Sequence, residues 1–103
     1  MSVLLNFAMF PTDKGDSVSQ YVSQIINHIK ESGVSYKLNP MGTTIETDTM
    51  EQALQIVQES YDILEPVSNR VYCSINIDAQ KNKSQRIASK IASIEAKIGE
   101  VNK

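Results

Sequence analysis

The chain has 103 residues, 41% hydrophobic and 21% charged, with a formal net charge of −2. That is the composition of an ordinary globular protein, of a length suited to one domain with a modest core, so residues 1–103 are read as a single domain. A lone cysteine, Cys73, and a lone histidine, His28, exclude a disulfide framework, a zinc–thiolate cluster and a multi-histidine metal centre.

The first ten residues, MSVLLNFAMF, read as a strand over 2–10, with Val3, Leu5, Phe7 and Met9 on one face and Leu4, Asn6, Ala8 and Phe10 on the other. They carry no basic leader and no small-residue cleavage site, and no apolar run approaches the roughly 20 residues of a membrane span. A cytoplasmic, reducing location with no membrane partner is the expectation. After the turn-forming PTDKGD, Asp16 or Ser17 is placed to cap a helix over 17–32, whose stripe is Val18, Tyr21, Val22, Ile25, Ile26 and Ile29. Gly33 is a natural stop.

Two short strands follow, 34–38 and 42–47, joined at Asn39-Pro40. Val34, Tyr36 and Leu38 alternate with Ser35 and Lys37; Met41, Thr43 and Ile45 alternate with Gly42, Thr44 and Glu46. Asp48 or Thr49 caps a second helix over 50–65, with Met50, Ala53, Leu54, Val57, Tyr61 and Leu64 as its expected stripe and Pro66 as its end. Residues 70–78 read as a central last strand with Val71, Cys73, Ile75 and Ile77 inward. A third helix is expected over 84–99.

The order β-α-β-β-α-β-α implies an α+β fold, the ferredoxin-like βαββαβ sandwich with an added C-terminal helix. Two helices cover one face of the sheet. The other face is mixed: Leu4, Phe10 and Tyr72 beside Asn6, Lys37, Thr44, Glu46 and Asn76. Such a face meets a partner sheet, a ligand or both. Ile87, Ile91, Ile94, Ile98 and Val101 form a short heptad seam on the last helix, which needs a surface in its own domain or in a second subunit. Residues 1–79 hold four Lys/Arg against ten Asp/Glu, a net of −6, and residues 80–103 hold six against two, a net of +4. Basic residues at a helix start are unfavourable unless an acidic group offsets them. This favours self-association to a dimer or tetramer. Without interleaved aromatics, the basic end makes no case for nucleic acid.

No catalytic residues are assigned. Cys73 reads as an inert core residue, and His28 lies off its helix's apolar stripe, with no second histidine for a relay. Glu46 and Asp78, at strand ends, have the chemistry of an acid and base, but such groups more often cap or solvate. No phosphate-binding glycine loop is present, and no cofactor or metal is implied. In the hairpin, Pro40 removes a backbone donor, Gly42 lets a second backbone or a flat ligand come close, and Thr43 and Thr44 place hydroxyls on both faces. A β-bulge that twists the hairpin accounts for the same residues.

Four motifs carry a resemblance that spans nearly the whole chain. They are Ser17-x-Ser19-x-Tyr21-Val22, Ser32-Gly33-Val34-x-Tyr36, Pro40-Met41-Gly42-Thr43-x-Ile45-Glu46, and Arg70-Val71 leading to Ile75, Ile77 and Asp78. Together they closely resemble the thiamine-binding protein (YkoF-like) family of small ferredoxin-like proteins. The chain departs from that pattern at Thr47, Asn76 and Ala79-Gln80-Lys81. The resemblance implies a cytoplasmic, oligomeric protein that binds thiamine or its hydroxymethylpyrimidine part without transforming it. For an aminopyrimidine, Ser17, Ser19, Asn39, Thr43 and Thr44 offer hydrogen-bonding groups; for a thiazolium cation, Tyr36 and Glu46 offer a ring face and a carboxylate. Helix capping by the two serines and core packing by Tyr36 stand beside these roles. An oligomeric interaction module with no ligand is the alternative function.

Overall fold

The computed structural model describes residues 1–16 and 18–103. The elements are β1 (Ser2–Pro11), α1 (Ser19–Ser32), β2 (Ser35–Asn39), β3 (Gly42–Thr47), α2 (Met50–Leu64), β4 (Val71–Gln80) and α3 (Arg86–Ile98). The strands form one antiparallel sheet in the order β2-β3-β1-β4. This is the expected ferredoxin-like α+β sandwich, with α3 added after the second βαβ half.

The core lies between one sheet face and the helices α1 and α2. The period-two pattern of β1 buries Val3, Leu5, Phe7 and Met9, which meet Ile45 of β3, Ile25 and Ile29 of α1, and Ala53, Ile56 and Leu64 of α2. Gly33 ends α1 with φ 80°, the left-handed conformation in which glycine carries no Cβ penalty. A capping box starts α2: Gln52 N–H donates to Thr49 Oγ1 at 3.1 Å, and Thr49 N–H donates to Gln52 Oε1 at 3.1 Å.

Three sequence expectations need correction. The residue before α1 is Val18, which makes no side-chain cap; Ser17 lies outside the described residues. The buried face of α2 is Ala53, Ile56, Ser60 and Leu64, while Leu54 and Tyr61 point outward. Small Ala53 and Ser60 let the helix approach the sheet, and Ser60 Oγ donates to Ile56 O at 2.7 Å, so its hydroxyl is buried with a partner. Finally, β4 is an edge strand rather than a central one. Val71 and Cys73 pack against the core, but Ile75 and Ile77 remain 41% and 42% exposed although they share the helix-side face.

Candidate functional site

Asn39 pairs with Gly42, so Pro40-Met41 is a two-residue hairpin turn. Proline holds φ near about −65°, which excludes the primed turns whose twist matches paired strands. The turn is therefore of an unprimed type, and β2 and β3 stay paired up to Asn39 and Gly42 on either side of it. Asn39 Oδ1 accepts Met41 N–H at 2.8 Å and stabilises the turn. A Cβ on Gly42 would lie 2.9 Å from the Phe7 carbonyl oxygen. The close approach that Gly42 permits is thus to the backbone of β1.

β3 pairs with β1 only from Val3 to Phe7, whereas β4 pairs along β1 from Ser2 to Pro11. Beyond Phe7 the β3 side of β1 opens into a cleft of about 400 Å³ under α1. Phe7, Met9, Val22, Ile25, Ile26, Leu38 and Met41 give it apolar walls, and Asn39 and Thr43 bring polar groups; no charged residue lines it. Thr43 is 4% exposed and sits opposite Phe7 and Leu38. Among the described residues its hydroxyl has no hydrogen-bond partner. Thr43 is among the residues that line the cleft, so its hydroxyl is available there as a donor or acceptor.

The remaining candidates lie elsewhere. Thr44 is on the opposite sheet face and donates to Asn6 Oδ1 at 3.0 Å. Glu46 shares that face at the far end of β3, where it caps α3. Its carboxylate accepts Arg86 N–H at 2.9 Å and Ile87 N–H at 3.2 Å, and the Ser2 hydroxyl. Gln85, at the N-cap, is left-handed with φ 52° and offers no side-chain cap, so the cap comes from another element. Burial works to raise the Glu46 carboxyl, but the bonds from Ser2, Arg86 and Ile87 outweigh it and hold the group below its ordinary value.

Arg86 completes this network. Its buried guanidinium donates to Ser2 Oγ (3.0 Å), Ser2 O (2.7 Å) and Asp78 O (2.6 Å). Nη1 lies 3.0 Å from Asp78 Oδ2, an ion pair without hydrogen-bond alignment. Lys90 reaches the same oxygen at 3.0 Å. The acidic partner that the basic helix start calls for is therefore present within the chain.

Tyr36 lies on the helix-side face and packs against the core, opposite to the face that carries Glu46. Ser19 is the exposed first residue of α1. The structure thus brings Asn39 and Thr43 together and separates them from Thr44 and Glu46. His28 Nε2 pairs with Glu59 Oε1 at 2.6 Å, joining α1 to α2. A wider, open groove of about 740 Å³ runs past the start of α2. Several of its polar side chains are already engaged: Thr47 with Thr49 O, Gln52 in the capping box, Glu59 with His28 and Gln55. Burial pushes the Cys73 thiol up, away from a reactive thiolate. Among the described residues no His/Cys/Asp/Glu group is arranged to hold a metal ion, and no helix is long and apolar enough to cross a membrane.

The cleft walls from α1 and β1 were missed as site residues because their apolar spacing is also that of a core. One signal was available: a nine-residue first strand facing a six-residue partner must leave one end unpaired.

Known proteins share both sequence and fold with this chain. A UPF0045 protein of Mycobacterium bovis is 28% identical over 95 residues, covering 92% of this chain and 93% of that protein. A UPF0045 protein of Methanocaldococcus jannaschii is 32% identical over 92 residues, covering 89% and 91%. A crystal structure of a hypothetical protein from that organism superposes with a TM-score of 0.81 at 31% identity, covering 90% of this chain and 95% of the other. A Thermotoga maritima structure, described as a candidate thiamine biosynthesis/salvage protein, has a TM-score of 0.78 at 21% identity, covering 91% and 99%, and speaks for the fold alone. The profile of one family, described as thiamine-binding protein, matches residues 5–95, and the chain belongs to that family.

Proposed function

We propose that the chain is a non-catalytic binding protein for thiamine or its hydroxymethylpyrimidine part, working as a homo-oligomer, with the pyrimidine seated in the hairpin cleft. The observation that carries this reading is Thr43, a nearly buried residue on the wall of an apolar cleft, whose hydroxyl has no partner among the described residues. The cleft volume of about 400 Å³ suits one flat heteroaromatic ring with its substituents. Family membership supplies the chemical class of the ligand. No side chain lining the cleft titrates near neutral pH, which supports retention over turnover. With no carboxylate in the cleft, the cationic thiazolium is better accommodated at its mouth, in water. The cytoplasm remains the expected location.

Thr43→Val is the direct test. Valine keeps the shape and removes only an unpaired hydroxyl, so stability should hold or rise slightly. Affinity for thiamine and for the free pyrimidine, measured by calorimetric titration, should fall about 5- to 10-fold, the value of one hydrogen bond. Unchanged affinity in a folded variant would remove Thr43, and with it the cleft, from the binding reading.

Self-association is supported by Ile75 and Ile77 on the uncovered edge of the sheet and by Ile94 and Ile98 on α3, all substantially exposed. These residues also favour the second reading, an assembly module without a ligand. A rise in melting temperature with thiamine or the pyrimidine separates the two, because a ligand that binds only the folded state stabilises it by mass action.

A further inference from the structure

The main chain of β1 places a donor–acceptor pair in the same cleft. Thr12 N–H donates to Arg70 O at 2.8 Å, just past the end of the β1–β4 pairing. In an antiparallel sheet, the backbone polar groups of alternate residues point to opposite neighbours. Ala8 and Phe10, in step with Thr12, therefore turn their N–H and C=O toward β4. Phe7 and Met9 turn theirs toward the β3 side. Phe7 meets Thr43 there, at the last pair of the register. Two residues further on, Met9 has no strand opposite, because the chain has already turned at Pro40-Met41. Met41 N–H is taken by Asn39 Oδ1 at 2.8 Å, and among the described residues Met9 is joined to the hairpin neither by the β1–β3 register nor by a backbone hydrogen bond outside the strands. Met9 lines the cleft and is nearly buried. An unpaired N–H and C=O on one residue of a strand form a doublet of the kind another strand would occupy.

We propose that Met9 N–H and C=O read the amidine edge of a 4-aminopyrimidine, and so select the 4-amino class of ligand over the 4-oxo class. This rests on the reading that the cleft binds a pyrimidine. The N–H donates to a ring nitrogen, the C=O accepts from the adjacent exocyclic amino group, and the Thr43 hydroxyl takes a further polar group of the ring. In the 4-oxo compound the ring nitrogen carries hydrogen and the substituent is an acceptor. Both contacts become donor against donor and acceptor against acceptor. A site whose buried polar groups are left unpaired by an analogue rejects it strongly, and a loss of roughly 100-fold or more is expected here.

The test is a titration of isotope-labelled protein with 4-amino-5-hydroxymethyl-2-methylpyrimidine and with its 4-oxo counterpart, followed by amide NMR. The proposal expects the 4-amino compound to move the Met9 amide proton downfield and slow its exchange, with Ala8 and Phe10, tied to β4, nearly unmoved. It expects the 4-oxo compound to bind roughly 100-fold more weakly or worse. Because the recognition is by main chain, Met9→Leu should keep the discrimination. If both compounds bind within threefold, or the signals of Thr43 and Val22 move while Met9 does not, the Met9 reading falls and the cleft stands. If neither compound moves any signal around the cleft, both fall together.

Discussion

Replacing Glu46 with Gln keeps the shape of the side chain and removes its charge, so it tests what this carboxylate does. In the native chain it accepts Arg86 N–H at 2.9 Å, Ile87 N–H at 3.2 Å and the Ser2 hydroxyl. An amide has only one acceptor oxygen and turns an NH₂ toward at least one of these donors. Hydrogen bonds to a charged group contribute about 1.5–3 kcal/mol and neutral ones about 0.5–1.5. Charge at a helix N-terminus adds about 0.3–1 kcal/mol. Glu46 is only half-buried, so the lower part of these ranges applies. Loss of one bond and weakening of the others then costs about 2 kcal/mol, or roughly 8–12 °C in melting temperature for a domain of this size. Urea unfolding measures the first quantity. Hydrogen exchange over residues 86–93 reports release of α3 directly. Affinity for thiamine should change less than threefold, since Glu46 lies on the sheet face away from the cleft. An unchanged melting temperature and unchanged α3 exchange, with thiamine binding weakened more than that of the neutral pyrimidine, would refute the capping argument. That pattern would restore Glu46 to the thiazolium pairing considered from sequence.

Gly42→Ala places a Cβ 2.9 Å from the Phe7 carbonyl oxygen, and a central strand cannot yield cheaply; a loss of about 1–3 kcal/mol in urea unfolding is expected, and a neutral result would mean that the hairpin is looser than its geometry. Acid should destabilise the fold in a definite window. The Glu46 carboxyl is depressed below 4.5 in the folded state, and Asp78 is depressed below 3.8 chiefly by Lys90 and then Arg86. Their contribution is therefore present above the unfolded values and is lost as pH falls through the folded ones. The urea midpoint should drop below about pH 4.5 with a shallower slope in Glu46→Gln, and a midpoint level down to about pH 3 would contradict the network. The pair Ile94→Glu and Ile98→Glu, at positions 50% and 72% exposed, should leave the fold intact and lower the mass seen by light scattering; a wild-type monomer at micromolar concentration removes the basis for self-association.

The fold was legible because each layer of it rests on a local pattern. The β1 alternation, the Gly33 stop and the cap at Thr49 are properties of short segments and fix elements with little help from distant contacts. What was not legible depended on neighbours that no short segment specifies. Leu54 and Tyr61 fit the helical stripe of α2 as well as Ile56 and Ser60 do on paper. The close packing of α2 on the sheet decides for the smaller Ser60. Ile75 and Ile77 alternate correctly, but β4 lies at the sheet edge and they stay uncovered. At the site, residue types showed which hydroxyls and carboxylates were available, not which were already engaged. Thr44 is satisfied by Asn6 and Glu46 by α3, both partners far away in sequence. The Met9 doublet is invisible at residue level, since every residue carries one N–H and one C=O.

The segment from Pro40 to Glu46 joins two jobs that the fold keeps on opposite faces. The turn at Pro40-Met41 makes β3 begin at Gly42, so its pairing with β1 ends at Phe7 while β1 runs on beside β4 to Pro11. Gly42 lets β1 pass close by. From there strand alternation divides the work. Thr43 and Ile45 face the helices, one at the cleft and one in the core, while Thr44 and Glu46 face outward, where Glu46 holds the start of α3. A one-residue slip of β3 would invert all four side chains at once, burying the Glu46 carboxylate in the core and exposing Ile45. The register is therefore over-determined: core packing, the α3 cap and the cleft hydroxyl each require it. Thr43 and Glu46 sit on the same six-residue strand, yet a ligand on one and a helix on the other compete for no atom. The proposed binding in the cleft and the proposed assembly through α3 are therefore compatible within one small domain, and the sequence pattern that would link them is a requirement of strand geometry before it is a requirement of any ligand.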